Sequence, residues 1–368
     1  MTKLTDIFYK VTSLDNLILA HKNALKGKRS NYYAAAFDYN LISRLIKIQT
    51  ELRDYTYQPS GYRKKIIIEP KVRLIEAPAY PDRIVHHALH YYLNPFYERF
   101  FIADSYACRP RRGIHQAAKR VQQFLRLGGP DIYVCQIDIS KYYASVNHDR
   151  LLQLLQSKID DNSLLNLLWQ IIDSTDSGTE HDSLFAADSY YFTKGRRGIP
   201  IGNLTSQLFA NIYLHHADMY AKQQLKIRHY IRYMDDILFF HHDKAQLHQW
   251  RQDMEEFLYN ELYLTINPRK VRIYPVSQGV SFVGYVIYPY HLRLRGSSVR
   301  RFKKRYRKQL LALSLHKIEI DDVNKSFASW KAHAAHASTK NLVNKMELMQ
   351  KDCLANRRPI QLSLFDAE

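Results

Sequence analysis

Two adjacent aspartates inside an otherwise strand-like run constrain this chain more than any other feature. Residues 229–240 read HYIRYMDDILFF. Tyr230, Ile231 and Tyr233 precede Met234-Asp235-Asp236, and Ile237, Leu238 and Phe239 follow it, which is the pattern of a β-hairpin carrying carboxylates at its turn. Acids side by side repel unless a cation sits between them. Oxygen-only ligands suit Mg2+, which takes one or two protein carboxylates and completes its shell with substrate phosphates. A solvated Asp-Asp turn is the plain alternative, and the rest of the chain has to separate the two.

Residues 131–147, DIYVCQIDISKYYASVN, supply a third acid of the right kind. A β-branched run ends at Asp138, and the pattern then breaks into Ser140, Lys141 and a tyrosine pair. A strand delivering one carboxylate beside a hairpin delivering two makes a cradle, and such cradles hold two metal ions ~3.5 to 4 Å apart for in-line phosphoryl displacement.

The order of four segments now resembles a known family, the reverse transcriptases. These are the Asp138 strand, RRGIPIGNLTSQLFANIYL (residues 196–214), the Tyr-Met-Asp-Asp hairpin and SFVGYVI (residues 281–287), and the resemblance runs from about residue 30 to residue 340. Most of that family carries Gln before the motif glycine and Ser-Pro after it. This chain reads Ile201-Gly202-Asn203-Leu204-Thr205-Ser206-Gln207. That variant is similar to the reverse transcriptases of diversity-generating retroelements, which copy a template RNA with errors at adenine and pass the cDNA into a variable target gene.

The resemblance implies an α+β right-hand polymerase: fingers, a palm with an antiparallel sheet, and a helical thumb. Expected boundaries are an N-terminal helix at 1–30, fingers at 31–132 with 150–195, palm at 133–290, thumb at 291–355 and a tail at 356–368. Asp138, with Ile139 beside it, Asp235 and Asp236 would hold two Mg2+ ions, with Mn2+ as a substitute. Arg73 would grip the incoming triphosphate beside Lys71, since a guanidinium fork binds phosphate bidentately and never deprotonates. Tyr143 would lie under the sugar, where a ring clashes with a 2′-hydroxyl, while Tyr142 faces the core. Ile201, Gly202 and Gln207 would complete the nucleotide site. Lys270 corresponds to the family lysine that protonates the leaving pyrophosphate. Implied partners are template RNA, cDNA, deoxynucleoside triphosphates and a small basic helical accessory protein.

Composition agrees with a polyanionic partner. Lys plus Arg is 54 against 35 acids, a net charge of +19 with pI near 9.6, and although most of the 28 tyrosines are expected in the core or at interfaces, aromatic platforms among basic grooves suit unpaired bases. Three cysteines, Cys108, Cys135 and Cys353, fit neither a zinc site nor a disulfide scaffold, so a reducing cytoplasm is expected. The first residues read as neither signal peptide nor membrane span, and no apolar run reaches ~18 residues.

In chain order, residues 13–25 read as a docking helix and 62–75 as a basic hairpin. Residues 80–93 form a helix whose His86, His87 and His90 lack a partner carboxylate at helical spacing, so a metal reading is set aside, and Asp82-Arg83 reads as a capping and scaffold pair. Arg109, Arg111 and Arg112 form a basic cluster that either tracks a template backbone or is a plain loop. Residues 173–189 hold five acids and no Lys or Arg, which predicts a solvated surface loop. A long apolar helix is expected over 204–220, an amphipathic one from 251 towards 270, and a single strand over 281–287.

From residue 299 the pattern changes. Seven of the nine residues 300–308 are basic, while Phe302, Tyr306, Leu310 and Leu313 keep one apolar face, so Arg300, Lys303, Lys304 and Arg307 are expected on nucleic acid. Helices over 320–335 and 339–354, with Trp330 as anchor, complete a three-helix bundle. In the tail, Gln361, Leu362, Leu364 and Phe365 of QLSLF are similar to the peptide that docks on the replicative sliding clamp; a chance match or folding back is the alternative. The rivals are a retron, group II intron or antiviral reverse transcriptase, and a non-catalytic basic RNA-binding scaffold.

Overall fold

The computed structural model describes residues 3–28, 32–68, 72–175, 177–184 and 195–356. Lys71 and the tail residues Gln361, Leu362, Leu364 and Phe365 lie outside them. The mixed α+β expectation is met, and the described residues fall into two compact units.

The first unit comprises Met1–Arg112, Cys135–Phe239 and Lys244–Ile273. Its hub is the helix Leu204–Met219, apolar around most of its circumference and therefore central rather than peripheral, with Leu208, Phe209, Ile212, Tyr213, Leu214 and Ala217 all buried. Polar side chains tether it. Tyr142 donates its hydroxyl to the Ala210 carbonyl at 2.5 Å, Tyr213 to that of Leu262 at 2.6 Å, and Asn211 its amide to that of Ala107 at 2.9 Å.

Around the hub, helix Leu14–Leu25 begins at Ser13, whose hydroxyl accepts the Asn16 N–H, and it packs on helix Tyr80–Glu98. Helix Tyr80–Glu98 has no side-chain N-cap. Asp82 is instead buried, accepting the Tyr57 hydroxyl at 2.8 Å and the Ser60 N–H at 2.9 Å, so the expected capping role gives way to a tertiary tie. Burial pushes His86 down to about 3, and its Nδ1 lies 2.8 Å from the Thr205 hydroxyl, which makes this ring a neutral hydrogen-bonding element of the core.

The basic hairpin pairs Tyr62–Ile67 antiparallel with Arg73–Pro78, Ile67 facing Arg73. A four-stranded sheet carries the acids, in the order His229–Tyr233, Asp236–His241, Tyr133–Asp138, Arg272–Pro275.

Residues 173–184 depart from the solvated-loop expectation. Ser177–Leu184 is a helix, and Ser177, itself buried, donates to Glu76 at 2.5 Å. Arg196 pairs with Asp173 at 2.9 Å and Arg197 with Asp182, so two of the acids are counterions to the arginines of the next motif. Gly198 explains the close fit: with φ at +96°, any Cβ there would strike the Gly178 backbone nitrogen.

The second unit comprises Gly113–Val134, Phe240–Asp243 and Tyr274–Glu368. It contains helix Ile114–Gly128, a three-stranded antiparallel sheet, and the helices Gly296–Ser314, Ile320–Ala334 and Lys340–Asn356. The single strand expected over 281–287 is two strands, Val280–Phe282 and Tyr285–Ile287, because Val283 and Gly284 both take positive φ, 43° and 90°, and close a two-residue turn.

The three-helix bundle forms as the apolar stripe predicts. Phe302, Tyr306, Leu310, Val323, Phe327, Met346 and Cys353 are its buried core, and Trp330 stacks on Phe302 with centroids 4.1 Å apart. Among the described residues, no helix is long and apolar enough to cross a membrane.

Candidate active site

Backbone pairing brings the three predicted acids together. Strand Tyr133–Asp138 delivers Asp138 at its end, and the next residue, Ile139, donates its N–H to the Asp235 carbonyl at 3.4 Å. On the other side, Asn267 donates its N–H to the Asp138 carbonyl at 2.8 Å, and Ser140 to that of Thr265 at 2.8 Å. The Asn267 side chain then accepts the Arg269 N–H at 3.1 Å, folding a turn that carries Lys270 back to the acid. Its Nζ lies 2.5 Å from Asp138 Oδ2.

The turn itself is strained. Met234 has φ at +54°, a left-handed conformation that costs a side-chain-bearing residue on the order of 1 kcal/mol or more. Arg232 holds it there. Fully buried, this arginine donates to the Met234 carbonyl at 3.2 Å, and it grips Asp218, equally buried, through two bonds of 2.7 Å. Tyr230 adds a third bond to Asp218 at 2.8 Å, and the backbone of Arg232 pairs with Asp104 and Tyr106.

None of this support was anticipated from the sequence. The available signal was an arginine between Ile231 and Tyr233 in an apolar strand, matched by an aspartate in an apolar helix, because buried charges require partners.

Burial, followed by the Asp138 and Asp236 carboxylates, pushes Asp235 up to about 6, against the opposing pull of its own backbone N–H and Lys270. Burial is the larger cause, and the part contributed by the two neighbouring carboxylates is crowded negative charge, which suits a cation. Among the described residues, no group of three or more His, Cys, Asp or Glu side chains is placed to hold a metal ion, so these acids are not a preformed cage. An all-oxygen, incomplete shell fits Mg2+, which fills the remaining positions with water and phosphate oxygens.

With this geometry in place, relatives become informative. The family model for reverse transcriptase (RNA-dependent DNA polymerase) matches residues 62–287, well over half of the chain. The chain belongs to the reverse transcriptase family. Its class is thus that of the RNA-directed DNA polymerases, nucleotidyltransferases that act on template RNA and nucleotides and use divalent metal ions.

It is similar to Protein YkfC of Escherichia coli (29% identity, 65% of this chain and 69% of that protein). It is also similar to the group II intron-encoded protein LtrA of Lactococcus lactis (23% identity, 66% of this chain), of which it spans only 49%. Apo telomerase from Candida tropicalis, truncated from its C-terminal domain, aligns with 67% of this chain and 59% of that one at 12% identity and a TM-score of 0.43, too low to establish a shared fold.

The other residues expected from the reverse transcriptase pattern divide into two groups. Tyr143 belongs with the acids: its hydroxyl lies 3.8 Å from the Met234 sulfur, while Tyr142 is buried as expected. Ile201 and Gly202 meet the basic hairpin, the Ile201 carbonyl accepting the Glu76 N–H at 2.9 Å. Gly202 is needed there, because with φ at +130° a Cβ would lie 3.1 Å from the Glu76 carbonyl oxygen. Arg73, on the same strand as Glu76, is exposed, as is Gln207.

Arg109 does not belong to a template groove. Its side chain is 3% exposed, paired with Glu98 at 2.7 Å and donating to the Ile102 and Ser105 carbonyls at 2.6 and 2.7 Å, so it is an internal strut whose donors are already engaged. Arg112 donates to the Ala103 carbonyl and lies over the Tyr106 ring. In the second unit, Arg300 and Lys304 are exposed on helix Gly296–Ser314, and Lys303 and Arg307 are half-buried.

Proposed function

We propose that this reverse transcriptase copies a template RNA into cDNA with Asp138, Asp235 and Asp236 holding two Mg2+ ions, and that it serves a diversity-generating retroelement in which adenines are miscopied. The observation that carries the catalytic part is the junction of Asp138, Asp235 and Lys270 by backbone pairing from three separate segments. When bound, the ions supply activation of the primer 3′-hydroxyl and neutralisation of the departing pyrophosphate.

This chain's own residues do the rest. Asp235 sheds its proton to become a ligand, and Lys270, released from Asp138, is the acid for the pyrophosphate. Arg73 binds the triphosphate, Tyr143 bars a 2′-hydroxyl, and Ile201 with Gly202 borders the nascent pair. Extension of a primed RNA with deoxynucleotides and Mg2+ tests this directly, and absence of any product would favour the non-catalytic RNA-binding scaffold.

The retroelement assignment is supported by Ile201-Gly202-Asn203 in place of the commoner Gln-Gly-Ser-Pro pattern. A second reading, a group II intron or other prokaryotic enzyme, is favoured by the similarity to LtrA. Genomic neighbours decide between them: an adjacent near-repeat differing at adenines supports the first, and intron RNA or a defence effector the second. A small basic helical accessory protein and the sliding clamp are the proposed protein partners. Deleting Gln361 through Phe365 should abolish clamp pull-down and spare synthesis in vitro; equal clamp binding by the truncated protein would remove that partner.

A further inference from the structure

The second unit holds a cleft that none of the residues above explains. Helix Ile114–Gly128 lines one side with His115, Lys119 and Gln122. The other walls are Tyr290 and His291 from the turn between two sheet strands, Leu292 at the start of strand Leu292–Leu294, and residues 335–338, including His336, from the turn after helix Ile320–Ala334. The space is about 280 Å³, and no acid is among its ten lining residues. An open, small cleft of mixed lining with no acid suits a charged fragment of a larger ligand better than an enclosed apolar molecule.

Its rings are arranged rather than scattered. His115 and His336 stack face to face with centroids 3.6 Å apart. Behind them the Tyr285 hydroxyl lies 3.3 Å from His115 Nδ1 and 3.1 Å from His333 Nδ1. At the rim, Tyr288 and His291 stack at 4.5 Å with Arg293 over the tyrosine, and Tyr290 is 84% exposed. Tight packing of the turns makes the walls durable: Ser338 donates its N–H to the Leu292 carbonyl at 2.8 Å, and Gln122 its amide to that of Tyr288 at 3.1 Å.

We infer that this cleft binds a backbone phosphate of a nucleic-acid strand, with Lys119 as standing charge, the stacked His115 and His336 rings as its hydrogen-bonding wall, and Tyr290 as a stacking ring for a neighbouring base. The inference rests on the nucleic-acid function proposed above. It adds a contact outside the basic helix Gly296–Ser314 and gives it a signature that lysines and arginines lack.

The groups facing His115 are Lys119 on its own helix, Tyr285 on the adjoining strand, His333 at the end of helix Ile320–Ala334 and His336 from the turn that follows. Burial, His336, His333 and Lys119 together lower the His115 pKa, so the free ring gives up its proton more readily than an ordinary imidazole. A phosphate beside His115 favours the charged form of that ring. Binding is therefore coupled to proton uptake, and affinity rises as pH falls.

The test uses the full chain without divalent ions, to prevent synthesis, and short labelled single-stranded RNA and DNA of one sequence. Wild-type affinity should tighten several-fold from about pH 8 to about pH 6. Lys119→Ala should reduce the salt slope by about one phosphate, and His336→Ala should flatten the pH response. Both residues are exposed, so neither change threatens folding. In NMR titrations the His115 imidazole pKa should rise when oligonucleotide is added.

RNA and DNA responding alike assigns the phosphodiester itself, and RNA alone adds a 2′-hydroxyl contact. Variants matching wild type in both salt slope and pH response would overturn the cleft while leaving polymerase function intact, as would a His115 signal that inorganic phosphate shifts and oligonucleotide does not. A wild-type chain that binds no nucleic acid would remove both proposals.

Discussion

The carboxylate turn and the basic helix Gly296–Ser314 handle charge in opposite ways. At the turn the supporting charge is fully buried, with Arg232 and Asp218 both inaccessible to solvent and bound to each other by two hydrogen bonds. On the helix the apolar stripe of Phe302, Tyr306 and Leu310 is buried, while Arg300, Arg301, Lys304, Arg305 and Lys308 are exposed. Buried charge fixes geometry, because leaving either partner alone is costly, whereas exposed charge is screened and acts in small, nearly additive increments. A substitution in the first region should therefore have a large, specific effect, and one in the second a graded effect tuned by salt.

The sharpest test is Asp235→Asn. Primer extension should fall by about three orders of magnitude or more, with RNA affinity nearly unchanged, because metal neutralisation is lost while the basic surface remains. Comparable synthesis by the variant would sink the assignment of the site.

Next in size is Arg232→Met, which leaves buried Asp218 without its cation and with only the Tyr230 hydroxyl as a side-chain partner. Denaturant unfolding should show a loss of about 3 to 5 kcal/mol, as breaking one side of a buried pair does. Replacing both Arg232 and Asp218 with apolar residues should restore much of the stability but not the hold on the Met234 carbonyl, so activity should remain impaired. Full recovery of both would show that the pair does not position the turn.

A pH experiment probes the same region more gently. Asp235 is raised above its unfolded value, to about 6, so its deprotonation destabilises the metal-free fold as pH rises through that value, and metal binding must release the proton. The Mg2+ concentration for half-maximal synthesis should therefore climb as pH drops from about 7 to about 5. A requirement flat across that window would contradict the crowding of carboxylates.

The smallest effects belong to the exposed charges and to fidelity. Arg300→Ala and Lys304→Ala should each weaken RNA binding a few-fold and lower the salt slope by about one, with the double variant close to the sum. Strong non-additivity would place them in a buried network after all. Ile201→Gln should reduce substitutions at template adenines a few-fold, since one hydrogen bond of about 0.5 to 1.5 kcal/mol is enough to shift discrimination, and sequencing of the cDNA reads it.

Sequence by itself determined whatever depends on local pattern. The Met234-Asp235 turn was legible because strand-like runs flank it. Ser13 showed as a helix start, and the apolar stripe from Phe302 to Leu310 showed as a bundle core, because caps and periodicities act over a few residues. Only tertiary structure decided which charges turn inward. Arg109 and Arg112 look alike in the string, yet one is locked to Glu98 and the other lies over Tyr106. The acids of 173–184 read as solvated, yet Asp173 and Asp182 answer Arg196 and Arg197. Asp218 and Arg232 meet only when helix and strand pack together. The fate of a charge depends on the partner that arrives from elsewhere in the chain, and that partner has no fixed spacing to read.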